Sequence, residues 1–197
     1  MDEHVSGGEL HLKLEFLQRT GSFKARGAVN NILTRDDVER EKGVTAVSAG
    51  NHAIAVAYAA NVLGVSAKVV MHRDANPARV AKCHAFGAEV VLVDDMTQAF
   101  PAMEEIAATE NRSVIHPFDG QATMQGTGTV GLEIAESITD LDAVVVAVGG
   151  GGLIAGVGAA LKALQPSLTV YGVEPTGAAV MSQSLSCGRF LDKVDVN

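Results

Sequence analysis

The segment Thr20-Gly21-Ser22-Phe23-Lys24-Ala25-Arg26-Gly27-Ala28 places one lysine among small residues, a hydroxyl group and one aromatic ring, where a helix is expected to begin. Taken alone, Lys24 is consistent with an ordinary solvated helix residue. A lysine held in a partly desolvated pocket instead has a lowered pKa and forms Schiff bases with carbonyl compounds. The choice depends on whether other parts of the chain supply an anion cradle and polar groups around this amine.

A second candidate is the glycine run that follows the valine-rich stretch Val144–Val148, namely Gly149, Gly150, Gly151 and Gly152, with Leu153 after it. Residues without Cβ let successive backbone N–H groups converge on one anion, and a helix N-terminus favours negative charge. The run therefore predicts a phosphate site. A tight turn at a close-packed sheet edge is the plain alternative. A dinucleotide site is weaker, because G-x-G-x-x-G spacing is met only with Ala155 in its last position.

A third candidate is Ser48-Ala49-Gly50-Asn51-His52-Ala53, another strand-to-helix turn. Its exposed amides, the Ser48 hydroxyl and the Asn51 amide suit a carboxylate or a ring oxygen. A capping loop without a ligand is the alternative. The six histidines show no metal-binding spacing, and no G-x-S-x-G elbow is present, so neither a histidine metal site nor a hydrolase triad is indicated.

Strand patterns alternate with helix patterns through the chain, which predicts an α/β fold with largely parallel sheets. Residues 9–15 alternate leucine with polar residues, the period of a half-buried strand. The predicted strands are Glu9–Glu15, Val44–Ser48, Ala67–Met71, Glu89–Val93, Ser113–His116, Asp142–Val148 and Thr169–Val173. The predicted helices are Ser22–Leu33 with Ser22 as N-cap, His52–Leu63, Asn76–Gly87, Thr97–Glu110, Gln121–Ser137, Leu153–Leu164 and Ala178–Ser186.

Composition narrows the class of protein. The chain has 197 residues, 47% of them hydrophobic and 19% charged, which is globular, and its net charge of −8 argues against nonspecific nucleic-acid binding. Cys83 and Cys187 match no metal or redox spacing and are expected to be free thiols. The uncharged run from Ala143 to Leu161 is broken by glycines and predicts strand, turn and helix rather than a membrane span. No signal peptide is visible, so we expect a cytoplasmic protein.

Together these segments resemble the threonine/serine dehydratases and serine racemases, which are fold-type II, tryptophan synthase β-like, pyridoxal-phosphate enzymes. The resemblance is carried by Lys13-Leu14-Glu15, Thr20–Ala28, Ser48–Ala53, Gly149–Leu153 and Gly172-Val173-Glu174-Pro175, in this order over nearly the whole chain. It implies that pyridoxal 5'-phosphate forms a Schiff base with Lys24 and packs on Phe23. It further implies that Asn51 bonds the 3-hydroxyl oxygen, that Gly149–Leu153 hold the phosphate, and that Ser48, Asn51 and His52 surround the substrate carboxylate.

The resemblance also implies an architecture. A small domain, residues 44–120, is inserted into a larger domain formed by residues 1–43 and 121–197, in three-layer α/β form with the active site in the cleft between them. Family members continue beyond residue 197 and there supply a Ser or Cys partner for the pyridine nitrogen. The chain is therefore expected to be a fragment of a dehydratase, which in its full-length family would be a dimer or tetramer.

The implied reaction is β-elimination, in which L-threonine or L-serine gives a 2-keto acid and ammonia. Lys24 acts as the base at Cα while the cofactor ring absorbs the negative charge. Several alternatives stay open: hydroxyaspartate dehydratase, serine racemase, a β-replacing synthase, a PLP-binding fragment without activity, and a nicotinamide-binding module.

Two positions depart from the racemase pattern. Ala49 stands where racemases have the serine that donates a proton to the opposite face of Cα, which favours dehydration over racemisation. The racemase cation site would fall on Glu174, the carbonyl of Ala178 and the side chain of residue 180. Because Val180 cannot ligate a hard cation, no structural metal is expected there.

Overall fold

A computed structural model describes residues 8–191. They form an α/β fold in which every paired strand is parallel to its neighbour, so the predicted fold class is confirmed. The strands are β1 (Val44–Val47), β2 (Ala67–His72), β3 (Glu89–Val93), β4 (Ser113–Val114), β5 (Ala143–Ala147) and β6 (Thr169–Val173). The helices are α1 (Lys24–Leu33), α2 (Asp37–Lys42), α3 (Asn51–Leu63), α4 (Pro77–Ala85), α5 (Ala99–Glu110), α6 (Gln121–Ser137), α7 (Gly152–Leu164) and α8 (Val180–Cys187).

Four strands form one sheet in the order β3-β2-β1-β4. Val44 in β1 is in register with Ala67 of β2 on one side and with Ser113 of β4 on the other. All four residues of β1 are buried, and the alanine-rich helix α3 packs into the same core. Because small side chains allow close helix–sheet packing, the start of α3 is held firmly at the end of β1.

The second sheet pairs β5 with β6, with Ala143 opposite Thr169. Its core joins side chains of α6, α7 and β5 to the residue that precedes β6: Val130, Val146, Val157, Leu161 and Leu168. The uncharged run 143–161 thus folds as strand, glycine turn and helix, as the sequence predicts. Among residues 8–191 no helix combines the length and the apolar character needed to cross a membrane.

Glycines bring three helices into backbone contact. A Cβ at Gly126 of α6 would lie 2.5 Å from the carbonyl oxygen of Arg26 in α1. A Cβ at Gly156 of α7 would lie 2.4 Å from the carbonyl oxygen of Met124 in α6. Helix α6 therefore fixes the starts of both α1 and α7, the two helix ends that carry Lys24 and the glycine run.

The predicted division into domains stays a prediction. The four-stranded sheet lies within residues 44–114 and the two-stranded sheet within residues 143–173. Residues 1–7 and 192–197 of the predicted larger domain lie outside the described part of the chain.

The predicted strand Glu9–Glu15 is wrong. Residues 9–14 have no regular secondary structure, and Glu15–Leu17 form a 3-10 turn. Leu10, Leu12 and Leu14 are 51%, 61% and 44% exposed. An alternating pattern makes a strand only where a neighbouring strand accepts its hydrogen bonds, and no strand in residues 8–191 pairs with this segment.

The predicted start of α1 is one residue too early, and α2 was not predicted from the sequence. The N-cap position of α1 is Phe23, although the Ser22 hydroxyl still accepts a hydrogen bond from the Lys24 N–H at 3.4 Å. Helix α2 begins with a capping box, in which Asp36 and Glu39 each accept a backbone N–H of the other. This Asp-x-x-Glu spacing was visible in the sequence as a helix start.

Candidate active site

Lys24 is the first residue of α1, and its side chain turns into the protein rather than into solvent. Its Nζ donates a hydrogen bond to the carbonyl oxygen of Pro117 at 2.5 Å and lies 5.1 Å from the centre of the Phe23 ring. Burial lowers the pKa of Lys24. A lowered pKa increases the fraction of neutral amine, which is the nucleophilic and basic form.

The amine lines a small cavity of about 10 Å³ that is partly open to solvent. Segments far apart in sequence line it: Phe23, Lys24, Gly27, Ala28, His52, His116, Pro117, Thr123, Thr127, Gly152 and Leu153. All three segments singled out in the sequence therefore contribute residues to one cavity. Such a meeting of an amine, a histidine and a helix N-terminus is typical of a small-molecule site.

The glycine run forms the turn between β5 and α7, with Gly151 in the left-handed region at φ +85°. Within the described residues, no backbone N–H of residues 149–154 donates a hydrogen bond, and the first such bond in α7 runs from Ala155 to Gly151. Six successive free N–H groups at a helix N-terminus make a strong anion-binding site. The turn can therefore hold a phosphate through backbone atoms alone.

Close contact with Phe118 explains why two of these positions have no side chain. A Cβ at Gly150 would lie 2.2 Å from Cγ of Phe118, and a Cβ at Gly152 would lie 2.4 Å from the Phe118 carbonyl oxygen. By contrast, a Cβ at Gly149 would meet no atom within 4 Å. The segment that contains Phe118 thus packs on the glycine turn, while the preceding Pro117 bonds Lys24.

The turn after β1 presents side chains. The Ser48 hydroxyl accepts a hydrogen bond from the Gly50 N–H at 3.1 Å, which shapes the turn around the N-cap Gly50. Asn51 is the exposed first residue of α3. The Arg79 guanidinium donates to the carbonyl oxygen of Ala49 at 3.3 Å from the neighbouring helix α4. The turn thus combines a hydroxyl, an amide and a nearby cation.

His52 is buried, with 5% of its surface exposed, and its Nε2 lies 2.8 Å from the carbonyl oxygen of Ile115. A carbonyl only accepts, so Nε2 carries the proton and Nδ1 has a free lone pair. Burial is the main cause that lowers the pKa of His52 to about 4. The ring is therefore neutral near pH 7 and links α3 to the end of β4.

Several residues that line the cavity were not predicted as site residues from the sequence. Thr127 is buried and its hydroxyl donates to the carbonyl oxygen of Gly152 at 2.7 Å, which fixes the start of α7. The Nδ1 atom of His116 accepts a hydrogen bond from the backbone N–H of Asp119 at 2.8 Å. The His116 ring also lies edge-on to the Phe118 ring, with 4.6 Å between the ring centres. Thr123 and Thr127 are four residues apart on the glycine-bearing face of α6, a spacing that would have revealed them.

Glu174, which stands at the position of a racemase cation ligand, caps the start of helix α8. Its carboxylate accepts hydrogen bonds from the backbone N–H groups of Met181 and Ser182, each at 2.8 Å. It also accepts the Ser182 hydroxyl at 2.7 Å, and these bonds lower the pKa of Glu174. Between residues 8 and 191 no group of three His, Cys, Asp or Glu side chains is placed to hold a metal ion. That no metal binds at Glu174 stays a prediction.

Comparisons with known proteins agree with the predicted resemblance. Residues 2–196 match the model of the family described as "Pyridoxal-phosphate dependent enzyme". The chain is 53% identical to phenylserine dehydratase of Ralstonia pickettii over 186 residues, 94% of this chain and 57% of that protein. It is 45% identical to L-threonine ammonia-lyase of Thermotoga maritima over 186 residues, 94% of this chain and 46% of that protein.

Among solved structures, maize serine racemase superimposes with a TM-score of 0.89 and 36% identity, covering 93% of this chain and 56% of the racemase chain. The chain thus spans about half the length of the relatives that it matches. The predicted resemblance is confirmed for the described fold.

Proposed function

The chain belongs to the family of pyridoxal-phosphate dependent enzymes, and we propose that it acts as an ammonia-lyase on L-threonine or L-serine. The reaction gives a 2-keto acid and ammonia. One observation carries the proposal: the half-buried Lys24 amine, with its lowered pKa, opens into the same cavity as the start of α7. An amine and an anion cradle in one cavity are what a phosphorylated aldehyde requires.

The residues present fit this cofactor. The turn from Gly149 to Leu153 offers N–H groups for the phosphate, and the contacts of Gly150 and Gly152 with Phe118 leave no room for side chains there. Lys24 would bind the aldehyde carbon, with Phe23 against the ring and Asn51 at the 3-hydroxyl oxygen. When bound, the cofactor supplies an electron sink for the charge that develops at the substrate Cα.

The chain's own groups would then orient the substrate and move its protons. The Ser48 hydroxyl, the Asn51 amide and the backbone N–H of His52 would surround the substrate carboxylate at the turn after β1. His52 would be neutral beside Lys24, which favours the role of Lys24 as a base, because a second positive charge would lower the basicity of the amine. Once the substrate amine has displaced it, Lys24 would accept the Cα proton. The bond from Cβ to the hydroxyl oxygen would then break, and the Lys24 ammonium would give this proton to the leaving hydroxyl to form water. The released enamine takes up water to give the 2-keto acid and ammonia.

Ala49 further narrows the proposal. Racemisation needs a proton donor on the face of Cα opposite Lys24, and the methyl group of Ala49 has no proton to give. We therefore expect keto-acid formation with little D-serine. Strong D-serine formation would contradict this role of Ala49.

A second candidate substrate is a β-hydroxy amino acid with an aromatic side chain. His116 and Phe118 form an edge-on ring pair beside the cavity, and Phe118 is 43% exposed. Such rings favour an aryl group, and one relative with 53% identity is named phenylserine dehydratase.

Hydroxyaspartate dehydration, β-replacement and cofactor binding without catalysis remain further alternatives. A cytoplasmic location and a dimer or tetramer are also proposals, to be tested by cell fractionation and light scattering.

Keto-acid release tests the activity. Protein loaded with pyridoxal phosphate is assayed with L-threonine, L-serine and phenylserine, beside Lys24→Ala and the matched surface variant Lys82→Ala. We expect activity in the unchanged protein and in Lys82→Ala, and at least a thousandfold loss in Lys24→Ala because the base is removed. No keto acid from any of the three substrates would refute the lyase activity.

A further inference from the structure

An ion cluster lies on the side of α1 opposite Lys24. The Arg26 guanidinium donates two hydrogen bonds to Glu15, both at 2.8 Å, and two to Glu133, at 2.7 and 2.8 Å. It donates a further bond to the Thr129 hydroxyl at 2.9 Å. The side chain of Arg26 is only 10% exposed, so these are largely desolvated, charge-assisted bonds rather than surface pairs.

The cluster is balanced in charge. Lys13 Nζ also donates to Glu133, at 2.5 Å, so two cations face two carboxylates. The hydrogen bond from Arg26 is the main cause that lowers the pKa of Glu133 to about 2. Both the guanidinium and this carboxylate are therefore charged throughout the pH range of ordinary enzyme assays.

The cluster ties three parts of the chain together at one turn of α1. Glu15 belongs to the segment before α1, whereas Thr129 and Glu133 belong to α6. Residues two apart on a helix point about 200° apart around its axis, so Arg26 is anchored behind the helix while Lys24 reaches the cavity in front of it.

From this geometry we propose that Arg26 is a positioning residue, which fixes the rotation of the first turn of α1 and thereby the place of the Lys24 amine in the cavity. The catalytic meaning of this role rests on the proposed function, but the positioning itself does not. Within residues 8–191 the hydrogen bonds of the Arg26 side chain go to Glu15, Thr129 and Glu133, and none of these three lines the Lys24 cavity.

The second half of α1 has its own anchors. Asn30 donates to the carbonyl oxygen of Ala122 at 2.7 Å, and Asn31 donates to the Thr123 hydroxyl at 2.8 Å. Loss of the Arg26 bonds would therefore leave the end of α1 attached to α6 and loosen mainly its first turn, which would keep its backbone packing on Gly126. The expected effect is a local displacement of Lys24 rather than global unfolding.

Competitive amine labelling of the cofactor-free protein across pH, read by mass spectrometry at Lys24, tests the positioning. In Arg26→Gln the apparent pKa of Lys24 should rise towards that of an exposed lysine, because the amine leaves Pro117 and becomes hydrated. Arg26→Lys should restore this pKa only in part, since an ammonium cannot fork between two carboxylates. The surface variant Arg40→Gln, on α2, should leave the Lys24 profile unchanged.

The same variants loaded with pyridoxal phosphate give a second readout. Because Lys24 is displaced in Arg26→Gln, we expect the kcat of this variant to fall roughly tenfold to hundredfold, while its KM for the amino acid changes less than about threefold. If the unchanged protein binds no cofactor, the proposed function fails, and the labelling still decides the positioning.

An unchanged Lys24 labelling profile in folded Arg26→Gln would overturn the inference. Should circular dichroism show that Arg26→Gln does not fold, Glu133→Gln takes its place, because it keeps the bonds between Arg26 and Glu15. It should shift the Lys24 profile in the same direction but less, and a profile equal to that of the unchanged protein would overturn the inference as well.

Discussion

Two strand-to-helix turns lead into the same cavity, yet they are built differently. The turn 48–51 after β1 carries a hydroxyl and an amide, whereas the turn 149–152 after β5 consists of glycine alone. The first can recognise a ligand through side chains, and the second only through backbone N–H groups. The two chemistries divide the proposed site into a part for the substrate carboxylate and a part for the cofactor phosphate.

Their surroundings differ as well. Every residue of β1 is buried in the middle of a four-stranded sheet, whereas in β5 only Val146 is fully buried. The sheet itself therefore positions the first turn. The glycine turn is held from outside its sheet, by the Thr127 hydroxyl on one side and by Phe118 on the other.

This difference indicates where each turn tolerates change. In the first turn, function is expected to reside in side chains that project from a rigid frame, so they can be exchanged without loss of folding. In the glycine turn, function and packing use the same backbone atoms. A single methyl group added where the turn packs on Phe118 should therefore damage both.

The largest effect is expected for Gly152→Ala. Its Cβ would lie 2.4 Å from the carbonyl oxygen of Phe118, and an overpacked contact with backbone typically costs about 1–3 kcal/mol. We expect the free energy of unfolding to fall by about 2–3 kcal/mol, and cofactor affinity to fall at least tenfold as the N–H groups move apart. Urea unfolding and spectroscopic titration with pyridoxal phosphate measure both.

Gly149→Ala is the matched control within the same turn. No atom lies within 4 Å of its added Cβ, and the residue does not have a positive φ. Its stability should therefore change by less than about 0.5 kcal/mol. Equal losses in the two variants would show that the contact with Phe118 does not shape the turn.

The next effect concerns pH and the turn after β1. The pKa of His52 is lowered to about 4 in the folded protein, against about 6.5 for an unfolded histidine. Between these values the unfolded state binds more protons, so stability is lost as pH falls and does not change above about pH 7. His52 alone should cost about 2 kcal/mol at pH 5 relative to pH 7.5.

His52→Gln removes this titration while its amide can still donate to the carbonyl of Ile115. The difference in unfolding free energy between pH 7.5 and pH 5 should therefore be smaller in the variant than in the unchanged protein. The same pH dependence in both proteins would mean that His52 is not held neutral.

The smallest effect on stability is expected for Asn51→Ala. Asn51 is exposed at the start of α3, so its loss should change the free energy of unfolding by less than about 0.5 kcal/mol. Cofactor affinity should nevertheless fall several-fold if Asn51 bonds the 3-hydroxyl oxygen. A variant as unstable as Gly152→Ala would remove the contrast between the two turns.

Much of this arrangement could be predicted because its signals are local. Alternating strand and helix patterns gave the parallel α/β fold, and the glycine run was readable as an anion site at a helix start. The strand at residues 9–15 failed because its pattern needs a partner strand, and none in residues 8–191 pairs with it.

The rest depends on contacts between distant residues. Pro117 reaches Lys24 across 93 positions of sequence, and Thr127 reaches Gly152 across 25. Nothing in the sequence near Asn51 indicates that His52 would be buried against Ile115. A pattern within one segment reveals what that segment can form, but not which carbonyl or ring will meet it in the fold.

The central claim is that Lys24 is the lysine that binds the cofactor. It is tested most directly by incubating the protein with pyridoxal phosphate, reducing with borohydride and locating the pyridoxyl group by mass spectrometry. We predict a modification at Lys24, with a visible absorption band before reduction that is absent in Lys24→Ala. Modification of another lysine in its place, or a band that survives in Lys24→Ala, would contradict the account.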